Sequence, residues 1–377
     1  MKKITLLLII VALLASCTSD TPLVSLGIDS NYNITRMKKL ALRPAFTGHQ
    51  YQWSMKTMSG RDTILSTEKD YIFIAANRGS YQLTFKVDDY SDTIHINVFD
   101  EEVAYSPYIS GVDDYLPAPG QYVNTMPEYQ DGDTRQTMNQ KCMEAIGNNA
   151  GGLITLGSYG GYVTFHFDHT VVNVPGEKDF SVFGNSYFSS VPAYAGKGGN
   201  AEPGIVEVAF DKNMNGIADD DEWYELAGSE YKASQHNYSI TYTRNAMKNI
   251  QWRDSRDSTG YVIRNTFHSQ EYYPQWIPTE QLTFSGTLLP KNGVDVNGTG
   301  SLWILYMFDW GYTDNHPNSN TDKCSFDLSW AVDKNGNSVC LPGADFIRVY
   351  TGENQTCGWI GETSTEINGA CDLHITK

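Results

Sequence analysis

Ile205-Val206-Glu207-Val208-Ala209-Phe210, then Asp211-Lys212-Asn213-Met214-Asn215-Gly216-Ile217-Ala218-Asp219-Asp220-Asp221-Glu222, then Trp223-Tyr224-Glu225-Leu226 is the run on which the fold turns. The central segment has the ligand pattern of a calcium-wrapping loop. Asp211, Asn213 and Asn215 offer side-chain oxygens, Gly216 permits the sharp turn, and Ile217 gives a backbone carbonyl. Asp219 adds another oxygen, and Glu222 closes the shell with a carboxylate. The flanks decide what kind of protein holds it. Residues 205–210 alternate and are β-branched, and 223–226 are short and aromatic, which are strand signals rather than the helices of an EF-hand. The expectation is a structural Ca2+ stapling two strands of an extracellular β domain.

Outward from that loop the same texture continues. Strands are expected at Tyr162–Asp168, Phe180–Phe183, Tyr238–Tyr242, Tyr261–Arg264, Leu302–Phe308, Ser329–Val332 and Phe346–Tyr350, with a hairpin turn at Asn335-Gly336. One helix interrupts them. It starts near Thr134, with Asp133 as cap, puts Met138, Cys142 and Ile146 on one face, and ends at Gly147. The fold class is therefore all-β, with a large jelly-roll-like β-sandwich over 103–377 carrying one short helix. Before it, 27–102 read as a small β-sandwich of the immunoglobulin or PKD-like kind, with Trp53 in mid-strand and a closing pair, Tyr81–Val87 and Thr93–Val98. That module is expected to act as a spacer.

The first residues address the protein. Lys2 and Lys3 precede an apolar run from Ile4 to Leu14 that is too short to span a bilayer, and Ala15-Ser16 then lead into Cys17. This is the pattern of a lipoprotein signal peptide over 1–17, with Cys17 lipidated, 18–26 a tether, and the rest held at the surface of the outer membrane. A formal charge of −17 argues against nucleic acid as a partner. Beyond Cys17, five cysteines remain. Cys142 is expected as a buried free thiol, and Cys324, Cys340, Cys357 and Cys371 as the source of one or two disulfides in an oxidising compartment.

Hydrolase signatures are missing. The chain has no Gly-x-Ser-x-Gly elbow, no His-Glu-x-x-His, no Cys-x-x-Cys and no Walker loop, and His166, His169, His268 and His316 read as structural imidazoles. Aromatic residues crowd the loops instead: Asn265 to Trp276, Phe308 to Pro317, and Asn185 to Asn200. Rings beside amides suit a bulky, largely neutral ligand, so Tyr187, Tyr194, Tyr272, Tyr273, Trp276, Trp310 and Tyr312 are the expected ligand-binding residues. The protein is expected to bind rather than to catalyse.

Several phrases also carry a resemblance. They are Leu116-Pro117-Ala118-Pro119-Gly120-Gln121, Asn173-Val174-Pro175-Gly176-Glu177, Phe183-Gly184-Asn185, Glu202-Pro203-Gly204-Ile205-Val206, Glu222 to Tyr231, and Arg264-Asn265-Thr266-Phe267-His268-Ser269-Gln270. In them the chain from about Tyr115 onward resembles the BtuH-type surface lipoproteins of Bacteroidetes, which bind vitamin B12 (cobalamin) and related cobamides. The resemblance implies non-catalytic capture of a cobamide and its transfer to a TonB-dependent transporter in the outer membrane. Stacked rings with Asn and Asp side chains fit a second class as well, a glycan-binding surface protein.

Overall fold

The structure, a computed structural model, describes residues 25–56 and 62–375. The expected signal peptide, Cys17 and tether positions 18–24 lie outside the described residues. Within them the chain is all-β, one α-helix apart, and forms two sandwiches of unequal size.

The small sandwich follows from period-two alternation. In Gly79–Val87 the side chains of Leu83, Phe85 and Val87 are buried, and in Tyr90–Phe99 those of Ile94, Ile96 and Val98 are buried, with exposed residues between them. The two strands pair from Gly79 with Val98 to Val87 with Tyr90, so the turn is Asp88-Asp89 and the second strand starts earlier than the expected Thr93. Asp88 takes φ 49° there, and its carboxylate accepts from the Gln50 N–H at 2.9 Å. Tyr51–Lys56 and Asp62–Ser66 extend the sheet on one side, and Asn31–Thr35 pairs parallel to Tyr90–Phe99 on the other. Leu40–Leu42 and Tyr71–Phe73 form the opposing ribbon. Trp53 is fully buried between the layers, its ring 4.5 Å from that of Phe85. Leu26 belongs to the same core, so the module begins inside the stretch expected as tether.

The larger sandwich has a six-stranded antiparallel sheet in the order Ala331–Val332, Trp223–Leu226, Gly204–Ala209, Phe346–Thr351, Tyr162–His166, Gly111–Leu116. A four-stranded meander packs against it, in the order Thr259–Val262, Ile250–Asp254, Gln235–Thr243, Gln281–Leu288. Aromatic rings fill the space between. Tyr159 meets Tyr238 edge-on at 5.0 Å, and the Tyr242 hydroxyl donates to the Tyr159 carbonyl at 3.0 Å. A buried hydroxyl such as that of Tyr242 needs a hydrogen-bond partner, and the backbone supplies it.

Three expectations need correction. The helix spans Arg135–Ile146 and buries Met138, Cys142 and Ile146 as read, but its cap is Thr134 in a capping box with Thr137. Asp133 is occupied elsewhere, accepting from the Gln130 N–H and pairing with Lys141. Ser329–Val332 is strand only over Ala331–Val332, because Asp327 accepts from the Ser329 N–H and turns Leu328–Trp330 into a 3-10 turn. Cys324, Cys340 and Cys357 carry free thiols, so no disulfide joins the four late cysteines to one another. Cys324 and Cys357 are buried side chains in separate places, which is packing rather than cross-linking.

Candidate functional site

Several segments of the larger sandwich converge on a cavity of about 680 Å3. Gln121 and Tyr122 follow the edge strand Gly111–Leu116, while Asn185, Tyr187 and Asn200 come from the Tyr187–Phe188 and Gly198–Asn200 hairpin. Glu202 lies one residue ahead of the strand Gly204–Ala209, with Pro203 between them. Asn265, Phe267 and His268 lie in the turn after Thr259–Val262, and Trp359, Ser364 and Glu366 come from the C-terminal segment. The rim is aromatic and open. Phe267 is 79% exposed, and Tyr187 and Trp359 are each 59% exposed, although all three are large apolar residues that burial normally claims.

The floor is acidic and closed. Glu202, Asp314 and Glu366 are buried, and each offers an oxygen within 4.8 Å of the others. Backbone and hydroxyl donors hold them in place. Asp314 accepts from the N–H groups of Asn185 at 2.7 Å, Ser186 at 2.8 Å and Glu366 at 2.9 Å. Gly184 makes this cradle feasible, since a Cβ there would lie 2.3 Å from Asp314 Oδ1. Asp314 itself takes φ 52°, a left-handed conformation that costs a non-glycine residue about 1 kcal/mol or more and is held by those three bonds. Glu202 accepts from the Ser364 N–H at 3.1 Å and the Asn200 amide at 2.9 Å. Glu366 accepts the Thr155 and Ser364 hydroxyls, each at 3.0 Å.

Burial pushes the Glu202 carboxyl up to about 7, against those donors. Burial, then the fields of their acidic neighbours, raises Asp314 and Glu366 well above the carboxylate range. Nearby, burial raises Glu362 to about 8, while its Oε1 accepts from the Gln121 N–H. Like charges at this separation cannot all ionise in a dry site unless a cation joins them.

Of the ligand-binding residues expected from sequence, only Tyr187 lines the cavity. Tyr272, Tyr273, Trp276 and Tyr312 are core: none is more than 7% exposed, and all four belong to the main hydrophobic cluster. The three tyrosine hydroxyls face backbone: Tyr272 Oη accepts from the Asn265 N–H, Tyr273 Oη donates to the Thr279 carbonyl, and Tyr312 Oη accepts from the Glu230 N–H. Tyr194 meets Tyr306 edge-on, and Trp310 lies against Trp330 at 4.5 Å; neither reaches the cavity. Sequence reasoning passed over Glu202, Asp314 and Glu366, which are brought together from three distant segments. Phe267 sat in a segment flagged as aromatic, but nothing local marked it as the exposed ring.

Of the histidines, His166 faces Asp113, His169 bridges Asp168 and Asp372, His316 Nε2 faces the Phe308 carbonyl, and His268, which lines the cavity, pairs with the Tyr122 hydroxyl at 2.9 Å. The Asp211–Glu222 loop joins two adjacent antiparallel strands, as the flanks implied. Gly216 takes φ 77°, and its N–H donates to Asp211 Oδ2 at 2.8 Å. Asp219 Oδ2 accepts from the side-chain amides of Asn213 at 2.8 Å and Asn215 at 3.0 Å, and Glu222 accepts from the Lys212 N–H at 2.8 Å, so the loop's side chains bond one another and its own backbone.

The fold and cavity define a two-sandwich β protein with an aromatic-rimmed, acid-floored cavity. No protein-family model matches the chain, and no curated protein matches it.

Proposed function

We propose that this protein captures a cobamide at the aromatic-rimmed cavity without transforming it. The observation that carries the reading is the rim: Phe267, Trp359 and Tyr187 stay exposed around a floor of amides and carboxyls. A corrinoid is a large planar ring fringed with carboxamides. Exposed rings suit its apolar edge, and Gln121, Asn185, Asn200 and Asn265 suit the fringe, since an amide both donates and accepts. The cavity is smaller than the whole ligand and would take one edge of it. Four of the phrases that carry the cobamide-binder resemblance, separated in sequence, supply Gln121, Asn185, Glu202 and the Asn265 to His268 turn to this one cavity.

Binding without turnover is the reading adopted, because the lining pairs no serine with its histidine. Ser364 bonds Glu366 while His268 bonds Tyr122. On this reading Cys17 is the lipid anchor, Ca2+ in the Asp211–Glu222 loop stiffens the scaffold, and an outer-membrane transporter receives the ligand. A glycan is the second reading, favoured by the same stacking rings above carboxyls able to accept hydroxyls. Calorimetry with cyanocobalamin on the protein and on Trp359→Ala tests the choice. The proposal expects micromolar or tighter binding that the variant weakens about tenfold or more. Silence with cyanocobalamin beside clear heat from an oligosaccharide panel puts the glycan first.

A further inference from the structure

We infer that Glu202, Asp314 and Glu366 bind a calcium ion at the floor of the cavity, a site separate from the Asp211–Glu222 loop. The three carboxyls are buried, and each presents an oxygen within 4.8 Å of the other two. Two further buried groups lack a partner, one in the cavity wall and one next to Asp314. Gln121 lines the same cavity and is only 5% exposed; its amide nitrogen donates to the Ile360 carbonyl, while its Oε1 has no partner. Ser186 is 6% exposed, and its own N–H holds Asp314 at 2.8 Å, yet its Oγ is likewise unpartnered. Buried polar atoms without partners are rare in native proteins and call for an explanation.

A cation supplies one. Every group concerned is a hard oxygen donor, with no histidine nitrogen or thiolate in the set, which favours calcium over zinc. The existing hydrogen bonds fix the carboxyls without using all their lone pairs. Glu202 takes one donor on each oxygen, and the donors to Glu366 both fall on Oε1. Because Glu202 and Glu366 line the cavity, an ion there keeps one side open to oxygens of a bound molecule. The inference rests on the capture reading only for that last step. The ion's binding can be measured with no ligand present.

The test is calcium titration by calorimetry into chelator-stripped wild-type protein and into Asp219→Ala, Glu366→Gln and Glu202→Gln, each with a melting curve. Two ions per wild-type chain are expected, one of them surviving in Asp219→Ala. Glu366→Gln and Glu202→Gln should lose the other, with affinity at that site down about tenfold or more as ligand charge is removed. An Asp219→Ala protein that takes no calcium overturns the inference, as does a Glu366→Gln protein that keeps every ion the wild type binds. Should one variant fail to fold, the other decides. A negative result here leaves cobamide capture standing, since cyanocobalamin is absent from the titration.

Discussion

Trp276 and Trp359 are the same side chain put to opposite uses. Trp276 is 7% exposed and stacks with Tyr115 at 5.9 Å in the core, whereas Trp359 is 59% exposed at the cavity rim. Removing a buried tryptophan leaves a cavity and costs about 3–5 kcal/mol, while trimming an exposed one leaves stability almost unchanged. Trp276→Ala should therefore lower the melting temperature sharply, and Trp359→Ala and Phe267→Ala should leave it in place while weakening ligand binding, as thermal melts beside calorimetry will show. The contrast explains why four of the seven expected ring residues, Tyr272, Tyr273, Trp276 and Tyr312, lie in the core while Tyr187 lines the cavity. A loop aromatic is chosen for burial or exposure by strands that come from elsewhere in the chain, and residues 265–276 carry both kinds side by side.

A second prediction at this scale concerns Glu225. Burial raises its carboxyl to about 7, opposed by the Thr287 hydroxyl, which donates to it at 2.6 Å, and reinforced by Glu207. The folded pKa thus lies above the unfolded one, near 4.5. Stability from this group is full below that lower value and is lost as pH rises through about 7. Because Glu225 is only half-buried by exposure, screening trims the effect to about 1–2 kcal/mol. Glu225→Gln should flatten the fall in stability between pH 5 and 8, and an equally steep curve in the variant counts against this origin.

Elements were far more legible than sites. Phe180–Phe183 and Phe346–Thr351 fall where β-branched and aromatic runs placed them, because a strand's alternation is written into its own residues. Gln281–Leu288 escaped notice: its sequence Gln-Leu-Thr-Phe-Ser-Gly-Thr-Leu is half polar, and Gly286 is there because a Cβ would lie 2.8 Å from the Tyr350 hydroxyl of the facing sheet. Caps depend on which hydroxyl or carboxylate wins a local contest. Thr134 won the helix terminus because Lys141 and the Gln130 N–H engage Asp133. Thr134→Ala should accordingly cost about 1 kcal/mol in denaturant melts, and Asp133→Ala should cost less at the cap itself. For the strand-connecting loop, Asp211→Ala should lower the melting temperature by the loop ion's share of what a chelator takes away, and chelator added to the variant should cause only the smaller further drop that belongs to the ion at Glu202, Asp314 and Glu366. At a hundredfold excess over its dissociation constant a bound ion stabilises the native state by about 2.7 kcal/mol, enough to see in a melt.

At the scale of the molecule the small sandwich is docked on the large one. Lys39 reaches across to Asp345 at 2.7 Å and to the Asp211 carbonyl at 3.0 Å, at the root of the proposed calcium loop. Asp345 in turn accepts from the Asp211 N–H and the Thr170 hydroxyl. Arg36 donates to the His374 carbonyl at 3.0 Å, and Met37, Ile74 and Ala76 close an apolar cluster with Val172 and Ile375. None of these residues lines the cavity, whose walls come wholly from the larger sandwich. Deleting residues 25–100 should therefore leave ligand affinity unchanged. Stability should fall, because Val172 and Ile375 lose their cover and Asp345 loses its counter-charge. Lys39→Ala isolates the second effect. It leaves a carboxylate only 16% exposed without its cation, and should lower the melting temperature with no change in binding heat. An unchanged melting temperature in both the deletion and the point variant would return the small sandwich to the role of a passive spacer.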